Sequence, residues 1–465
     1  MRAQLAKIAW SALGGDAKAV DNVFFTASGG LASPYAVTDF ASATIATAGL
    51  AVAELVRALG GGDAAVSVDR RLASIWFGSS LRPIGWSLPP VWDPIAGNYR
   101  TRDGWIRLHT NAPHHRAAAE RILGAGGVRS AVAAAVAGWR AGELEAAIIE
   151  ADGCAAQMRS TAEWERHSQG RAVAAEPLVH VEPAGAAAER LQVDAPPARP
   201  LRDVRVLDLT RVLAGPVASR FLAGYGADVL RIDPPGWEEA SLVPEVTLGK
   251  RCARLDLREP ADREVFEGLL AGADVLLHGY RPGALERLGF GEAARRRIAP
   301  LLIDVALCAY GWSGPWAARR GFDSLVQMSA GIADTGMRWR RSEVPVPLPV
   351  QALDHATGYL MAAAAIRAVT RRLGGGPVTS AKLSLARTAL LLRANPARGE
   401  PPFAPEGEGD VSDVVEDTPW GSARRVAVPL SVAGAPLRWD SPACDLGSSP
   451  PAWRARRESN PHLRV

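Results

Sequence analysis

Residues 204–216 read Val-Arg-Val-Leu-Asp-Leu-Thr-Arg-Val-Leu-Ala-Gly-Pro, and this stretch decides the fold. Its first half is a short apolar run typical of a buried strand, and its second half is a turn. A helical pattern follows and ends at Gly226, and a second strand pattern begins at Asp228. Similar strand patterns recur at 274–278 and 301–306. Strands that alternate with helices predict a parallel sheet with helices on both faces.

The chain as a whole is therefore predicted to be α/β: an open parallel Rossmann-like sheet with flanking helices, plus a smaller α+β domain. An Asp-Gly turn at 103–104 and an Ala-rich helical stretch place the smaller domain before the sheet. Pro-rich stretches at 194–200 and 395–410 mark boundaries. The predicted divisions are 1–85, a first Asp-helix unit; 86–195, the small domain; 196–395, the Rossmann-like half; and 396–465, a C-terminal return segment and tail.

Composition excludes several classes of protein. The 465 residues carry a net charge of +4, and the cations are nearly all arginines without the clustering that a nucleic-acid site needs. The 4 cysteines form no C-x-x-C pair, which argues against a metal site and fits a reducing cytoplasm. The longest apolar stretch, 40–56, contains Thr and Glu and is interpreted as a buried helix rather than a membrane span. Residues 1–10 lack the features of a signal peptide.

A dinucleotide site would need G-x-G-x-x-G in the loop after the first strand. Residues 213–218 read Leu-Ala-Gly-Pro-Val-Ala, with a single glycine, so an NAD dehydrogenase is disfavoured. Residues 248–251 likewise lack the first glycine and the Ser/Thr of a phosphate-binding Walker loop.

An internal repeat relates two parts of the chain. Asp39 and Asp354 each stand before a long apolar helix pattern, which is followed by a Gly-rich break and a strand-like run at 66–72 or 378–385. Because these features agree in order and length, we interpret them as a duplication. No sheet half precedes Asp39, so we expect it to be a helix cap or a vestige.

Six ordered blocks resemble the family III CoA-transferases, also called the CaiB/BaiF family. They are the runs at 208–216 with 226–235, then 249–257, 273–289, 309–315, 321–327 and 347–358. Residues 30–185 resemble the part of the family that begins at its catalytic Asp, yet here they come first. The resemblance therefore implies a rearranged or partly duplicated member with the family's fold.

The resemblance makes Asp354 the nucleophile of a CoA-transferase. Its carboxylate would attack an acyl-CoA thioester to give a mixed anhydride and then an aspartyl-CoA thioester, from which a carboxylic acid accepts CoA. Its position at a helix start is expected to favour the ionised form. Coenzyme A is then a substrate, with no separate cofactor and no metal.

The resemblance also implies contacts to CoA and partners. The expected partners are an acyl-CoA and a small carboxylic acid, without nucleic acid or membrane, in an interlocked homodimer or a heteromer. The expected CoA-binding residues are Val212, Leu213, Ala214, Lys250, Arg251, Gly279, Tyr280, Arg281 and Arg287.

Two alternatives remain open. Acyl-CoA racemases of the same family carry a Gly-His-Asp run where this chain has Gly321, Phe322 and Asp323. Phe322 cannot be a base, although His355 could replace it, so a transferase is favoured. The rearranged chain could also be a CoA-binding pseudoenzyme or one subunit of a heteromer.

Overall fold

The structure is a computed structural model that describes residues 1–187, 191 and 194–455. The first unit contains α1 (Arg2–Ala12), a 3-10 helix (Ala17–Asn22), β1 (Val23–Thr26), α2 (Val37–Ala58), β2 (Val66–Asp69), α3 (Arg70–Trp76) and β3 (Leu81–Pro83). The predicted strand at 66–72 stops at Asp69 because the Asp69 carboxylate accepts the Leu72 N–H at 2.9 Å and starts α3.

A small α+β unit follows, with its three antiparallel strands joined edge to edge and its helices packed around Ile106 and Leu144. The predicted turn closes its first hairpin, where the Thr101 N–H donates to the Gly104 carbonyl at 3.0 Å. The elements are β4 (Gly97–Arg100), β5 (Trp105–Leu108), α4 (Pro113–Leu123), α5 (Arg129–Ala137), α6 (Ala141–Glu150), β6 (Ala155–Gln157), α7 (Thr161–Arg166) and α8 (Ser168–Ala175).

A larger α/β unit contains the longest sheet. Its strands are β7 (His180–Ala187), β8 (Arg205–Leu209), β9 (Asp228–Asp233), β10 (Arg251–Arg254), β11 (Val275–His278), β12 (Ile303–Cys308) and β13 (Pro377–Ser384). Its helices are α9 (Ala214–Gly224), α10 (Val243–Val246), α11 (Pro260–Ala271), α12 (Ala284–Arg287), α13 (Glu292–Ile298), α14 (Asp323–Ser329), α15 (Ile332–Arg340), α16 (Ala352–Leu373) and α17 (Leu385–Arg393).

The strand order in this sheet is β10-β9-β8-β11-β12-β13-β7, with every pair parallel except β13 and β7. Numbered along the chain, the six parallel strands follow the Rossmann order 3-2-1-4-5-6, which confirms the predicted fold class. The order reverses between β8 and β11. The carboxyl ends of those two strands therefore border the crevice in which such sheets bind ligands.

The C-terminal segment contains a 3-10 helix (Glu408–Asp410), β14 (Glu416–Thr418), β15 (Gly421–Arg425) and β16 (Leu430–Val432). The strands β14, β15 and β3 form one small sheet, and β1, β2 and β16 form another. The last residues therefore return to the first unit.

The structure shows the repeat as two matching sets of elements. Each copy has a 22-residue helix with its Asp as the third residue, then a strand, then a helix capped by the last residue of that strand. β1 is parallel to β2 as β12 is to β13, while β16 and β7 add antiparallel edges to β2 and β13. β7, which follows the first copy in the chain, thus pairs with the second copy, and β16, which follows the second copy, pairs with the first.

α2 and α16 pack against each other at the centre of the molecule. In the described part of the chain, α2 is the one helix long and apolar enough to cross a membrane, and 89% of its apolar window is buried in the protein. This burial is what the core helix of a globular fold requires.

Glu245 links three separate parts of the chain. Its fully buried carboxylate accepts the N–H groups of Ser80 and Leu81 at 3.1 and 2.9 Å, and it pairs with Arg220 of α9 and Arg425 of β15. Burial raises the pKa of this carboxyl, but the two guanidinium groups outweigh burial and lower it to about 2.

We predict that Glu245→Gln lowers the free energy of unfolding by about 3–5 kcal/mol at pH 7, because it leaves the buried Arg220 without its carboxylate, while Arg425 keeps its pair with Glu416. The folded pKa lies below the ordinary 4.5, so this contribution is complete above pH 4.5 and is lost as the pH falls towards 2. Urea unfolding measured between pH 7 and pH 3 should show the two proteins converging in acid. The exposed Glu264→Gln is the matched control, and a gap independent of pH would contradict the assignment.

Candidate active site

Asp354 lies at the point where two cavities meet, at the crevice end of the large sheet. Its side chain is almost fully buried in the third position of α16, and no described residue donates a hydrogen bond to its carboxylate. The N-cap position belongs to Gln351, so Asp354 does not cap the helix. A buried carboxylate without a partner is unusual and indicates a functional role.

One cavity, of about 390 Å³, opens from the crevice between β8 and β11. We call it the arginine cavity, because its wall includes Arg211, Arg281, Arg319 and Arg320. A second cavity, of about 430 Å³, also borders Asp354. We call it the acidic cavity, because it contains five carboxylates and, within the described residues, no Lys or Arg on its wall. Those carboxylates are Asp93, Glu238, Glu239, Asp323 and Asp354.

The arginine cavity offers a cation that is free to bind an anion. Arg211 donates to the Tyr280 hydroxyl at 2.8 Å, Arg319 pairs with Glu145, and Arg320 pairs with Asp152. Arg281 makes no side-chain hydrogen bond or ion pair to any described residue. Partial burial first, and then Arg320 and Arg287, lower its pKa. Such mutual repulsion is relieved when a phosphate binds.

Asp323 holds the start of α16 in place. Its Oδ2 accepts the N–H groups of Leu353 and Asp354 at 2.9 and 3.0 Å, and the Gln327 amide donates to its Oδ1. Burial raises the pKa of Asp323 to about 6. Burial, and then the Asp323 carboxylate, raise the pKa of Asp354 well above its ordinary value. The helix start was expected to favour ionisation of Asp354. The Asp323 carboxylate instead accepts the N–H groups at the start of α16, and the pKa of Asp354 is raised rather than lowered.

The structure brings most of the sequence-predicted CoA contacts together. Six of them line the arginine cavity beside Asp354, and Arg287 is exposed next to Arg281. These six are Val212, Leu213, Ala214, Gly279, Tyr280 and Arg281.

Lys250 and Arg251 do not line either cavity. The Lys250 ammonium is fully buried and contacts Asp208 at 3.2 Å and the Ser219 hydroxyl at 2.6 Å. Arg251 pairs with Asp228 at 2.9 Å. Both charges stabilise the sheet, so we do not assign them to a ligand.

Asp39 has the same backbone position as Asp354 but different neighbours. Its carboxylate pairs with the buried Arg70 at 3.0 Å and lies 4.0 Å from Arg2. The expected capping role is not seen, since Ala36 is the N-cap of α2. The duplication has therefore kept the residue while neutralising its charge.

Several residues of the site were not predicted from the sequence. No role was predicted for Asp323, which follows Gly321 and Phe322. Glu239 lies in an irregular segment after β9. His109, His114 and His115 come from the small domain, which covers the crevice of the sheet in the same chain. His355 is buried behind the site, with its ring 5.0 Å from that of Phe77, and lines neither cavity.

Comparison with known proteins agrees with this geometry. Residues 201–412 match the family model described as CoA-transferase family III. The probable fatty acyl-CoA transferase Rv3272 of Mycobacterium tuberculosis is 34% identical over 213 residues, which are 43% of this chain and 54% of that protein.

Two further relatives are named for specific acids. The formyl-CoA:oxalate CoA-transferase of Afipia carboxidovorans is 28% identical over 52% of this chain and 59% of its own length. The succinyl-CoA:glutarate CoA-transferase of Mus musculus is 31% identical over 40% and 45%. The chain thus spans about half the length of the curated relatives that it matches. The comparisons therefore relate residues 201–412 of this chain to CoA-transferase family III.

Proposed function

We propose that this chain transfers CoA from an acyl-CoA to a carboxylic acid through covalent catalysis by Asp354. The observation that carries the proposal is the buried, unpartnered Asp354 carboxylate between the arginine cavity and the acidic cavity. A thioester bound across the two cavities would place its carbonyl at this carboxylate. The relatives' names, which specify CoA transfer, support the same class of reaction.

The reaction needs four displacements. A carboxylate oxygen of Asp354 attacks the thioester carbonyl, and the C–S bond breaks as CoA thiolate leaves with the electron pair. The thiolate attacks the Asp354 carbonyl of the anhydride and releases the first acid as its carboxylate. The acceptor carboxylate attacks the aspartyl-CoA thioester and expels thiolate, which then takes the new acyl group and frees Asp354. Protons and electrons balance without a co-reactant.

Coenzyme A would enter through the arginine cavity. Arg281 has no partner among the described residues, and the exposed Arg287 beside it adds a second positive charge. Guanidinium groups bind phosphates through paired hydrogen bonds, which suits the pyrophosphate of CoA. The loop at Val212–Ala214 would then lie along the pantetheine arm.

A racemase is less well supported by the same site. Proton transfer on two faces of a substrate needs a second base opposite Asp354. His109 stacks on Phe322 with ring centroids 3.8 Å apart, and burial, followed by Arg107 and His115, lowers its pKa to about 3. An imidazole with that pKa is a weak base, and His355 lies outside both cavities.

We predict that Asp354→Asn reduces exchange of labelled CoA into an acyl-CoA at least about a thousandfold, because the amide is a poor nucleophile. Asp39→Asn alters the equivalent residue of the other copy and should retain exchange within about twofold. Acid-quenched wild-type protein should carry a CoA adduct on the peptide that contains Asp354. Undiminished exchange in Asp354→Asn would remove this residue from the mechanism.

We further predict that kcat/KM falls in acid with an apparent pKa above the ordinary range for Asp, because the pKa values of Asp323 and Asp354 are both raised. Asp323→Asn keeps an oxygen for the two amides but removes the neighbouring charge, so this apparent pKa should move about one unit to lower pH. A pH–rate profile measures this shift. A loss of rate without any shift would mean that Asp323 acts on the fold alone.

Removal of the free guanidinium should weaken binding of CoA. We expect Arg281→Gln to raise KM for an acyl-CoA about tenfold, while KM for the matching acyl-pantetheine, which lacks the nucleotide phosphates, stays unchanged. Arg102→Gln, at an exposed position of the small domain, is the control. Equal losses with both substrates would place the phosphates elsewhere.

A further inference from the structure

The acidic cavity has the features of an acyl-binding site. Its wall is mainly apolar, and its volume of about 430 Å³ falls in the range of about 300–1,000 Å³ found for small-molecule sites. It shares Asp354 with the arginine cavity, so the two cavities adjoin at the proposed nucleophile. Its apolar wall includes Pro90, Val91, Trp92, Ala112, Leu242 and Phe322.

The charges around this cavity disfavour a second anion. Glu238 and Glu239 pair with Arg254 and Arg231 at 2.6 and 2.9 Å, but neither arginine lines the cavity. Asp93 pairs in the same way with Arg116 at 2.9 Å. A ligand inside therefore meets carboxylate oxygens, which accept hydrogen bonds and cannot donate to an anion.

The remaining polar atoms on the wall carry no positive charge. Ser324 Oγ, Trp237 Nε1 and His109 Nδ1 are buried without a partner among the described residues. The lowered pKa of His109 keeps its ring neutral. Arg107 lies 4.6 Å from the centre of the Trp92 ring and donates to Asn98, and it is not part of the wall.

The arginine cavity therefore suits the anionic CoA part of an acyl-CoA, and the acidic cavity suits an uncharged part. Resting on the proposed function, we infer that the acidic cavity takes an uncharged, apolar acyl group, and that thioesters of dicarboxylic acids are poor substrates. The terminal carboxylate of a succinyl group would be desolvated beside Asp323 and Asp354 with no cation on the described wall, since Arg107, whose charge acts on Asp323, does not line the cavity. An alkyl or aryl group would instead bury its surface against the apolar wall.

Butyryl-CoA and succinyl-CoA test this directly, because their four-carbon acyl groups differ by a methyl against a carboxylate. We expect kcat/KM for exchange of labelled CoA to be at least tenfold higher with butyryl-CoA. Lengthening the chain to hexanoyl should raise it further, by roughly fourfold for each buried methylene. Equal or better exchange with succinyl-CoA would overturn the inference and leave Asp354 chemistry standing.

A charge introduced at the half-exposed Val91 tests whether the acyl group occupies this cavity. Val91→Arg places a cation on its wall, and Val91→Gln removes the same apolar contact without charge. The preference for butyryl-CoA should fall at least fivefold in Val91→Arg relative to Val91→Gln. An identical preference in the two variants would show that the acyl group lies elsewhere.

Binding separates this inference from the proposed function. Calorimetry with Asp354→Asn measures the Kd of each thioester without turnover, and butyryl-CoA should bind at least tenfold more tightly. Equal affinities would overturn the inference whatever the wild type does. Absence of exchange in the wild type, together with the expected difference in Kd, would reject the transferase and retain the site.

Discussion

The carboxyl groups of Asp323 and Asp354 both lie at the buried start of α16. The rest of the site depends on the hydrogen bonds by which Asp323 holds this helix start. Asp323 accepts the N–H groups of Leu353 and Asp354 and thereby fixes the backbone that presents the Asp354 side chain. Burial raises the pKa values of both carboxyl groups, and the Asp323 carboxylate raises that of Asp354 further. In the proposed mechanism, this burial limits the hydration that would weaken the Asp354 carboxylate as a nucleophile.

The path of the chain explains why one polypeptide holds both walls of this site. The first Asp-helix unit leads into the small domain, whose chain continues into β7, and β7 pairs with β13 of the other unit. The second unit leads to β16, which pairs with β2 of the first. Because β7 and β16 each pair with the other unit, the small domain covers the sheet of its own chain, and Trp92 and His109 line the acidic cavity together with Asp354.

The sequence predicted a parallel sheet and the long helix that starts near Asp354, because apolar strand runs and a repeated Asp-helix pattern are local features. It predicted ligand contacts less well. Lys250 and Arg281 both lie in runs that resemble the family. Lys250 pairs with Asp208 in the core, whereas Arg281 lines a cavity without a partner among the described residues. That difference depends on which acid each side chain meets after folding. Asp323 was overlooked for the same reason, since its bonds to α16 span 30 residues.

Asp39 shows what separates the proposed catalytic position from a structural one in this chain. The helix, the register and the residue type match those of Asp354, so local sequence cannot distinguish them. Arg70 begins the helix after β2, whereas Leu385 begins the corresponding helix after β13. The guanidinium at the first site pairs with Asp39, while the leucine at the second leaves Asp354 unpaired and lines the arginine cavity. The residue that begins this helix thus differs between the paired and the unpaired carboxylate, and the unpaired one, Asp354, is the nucleophile proposed above.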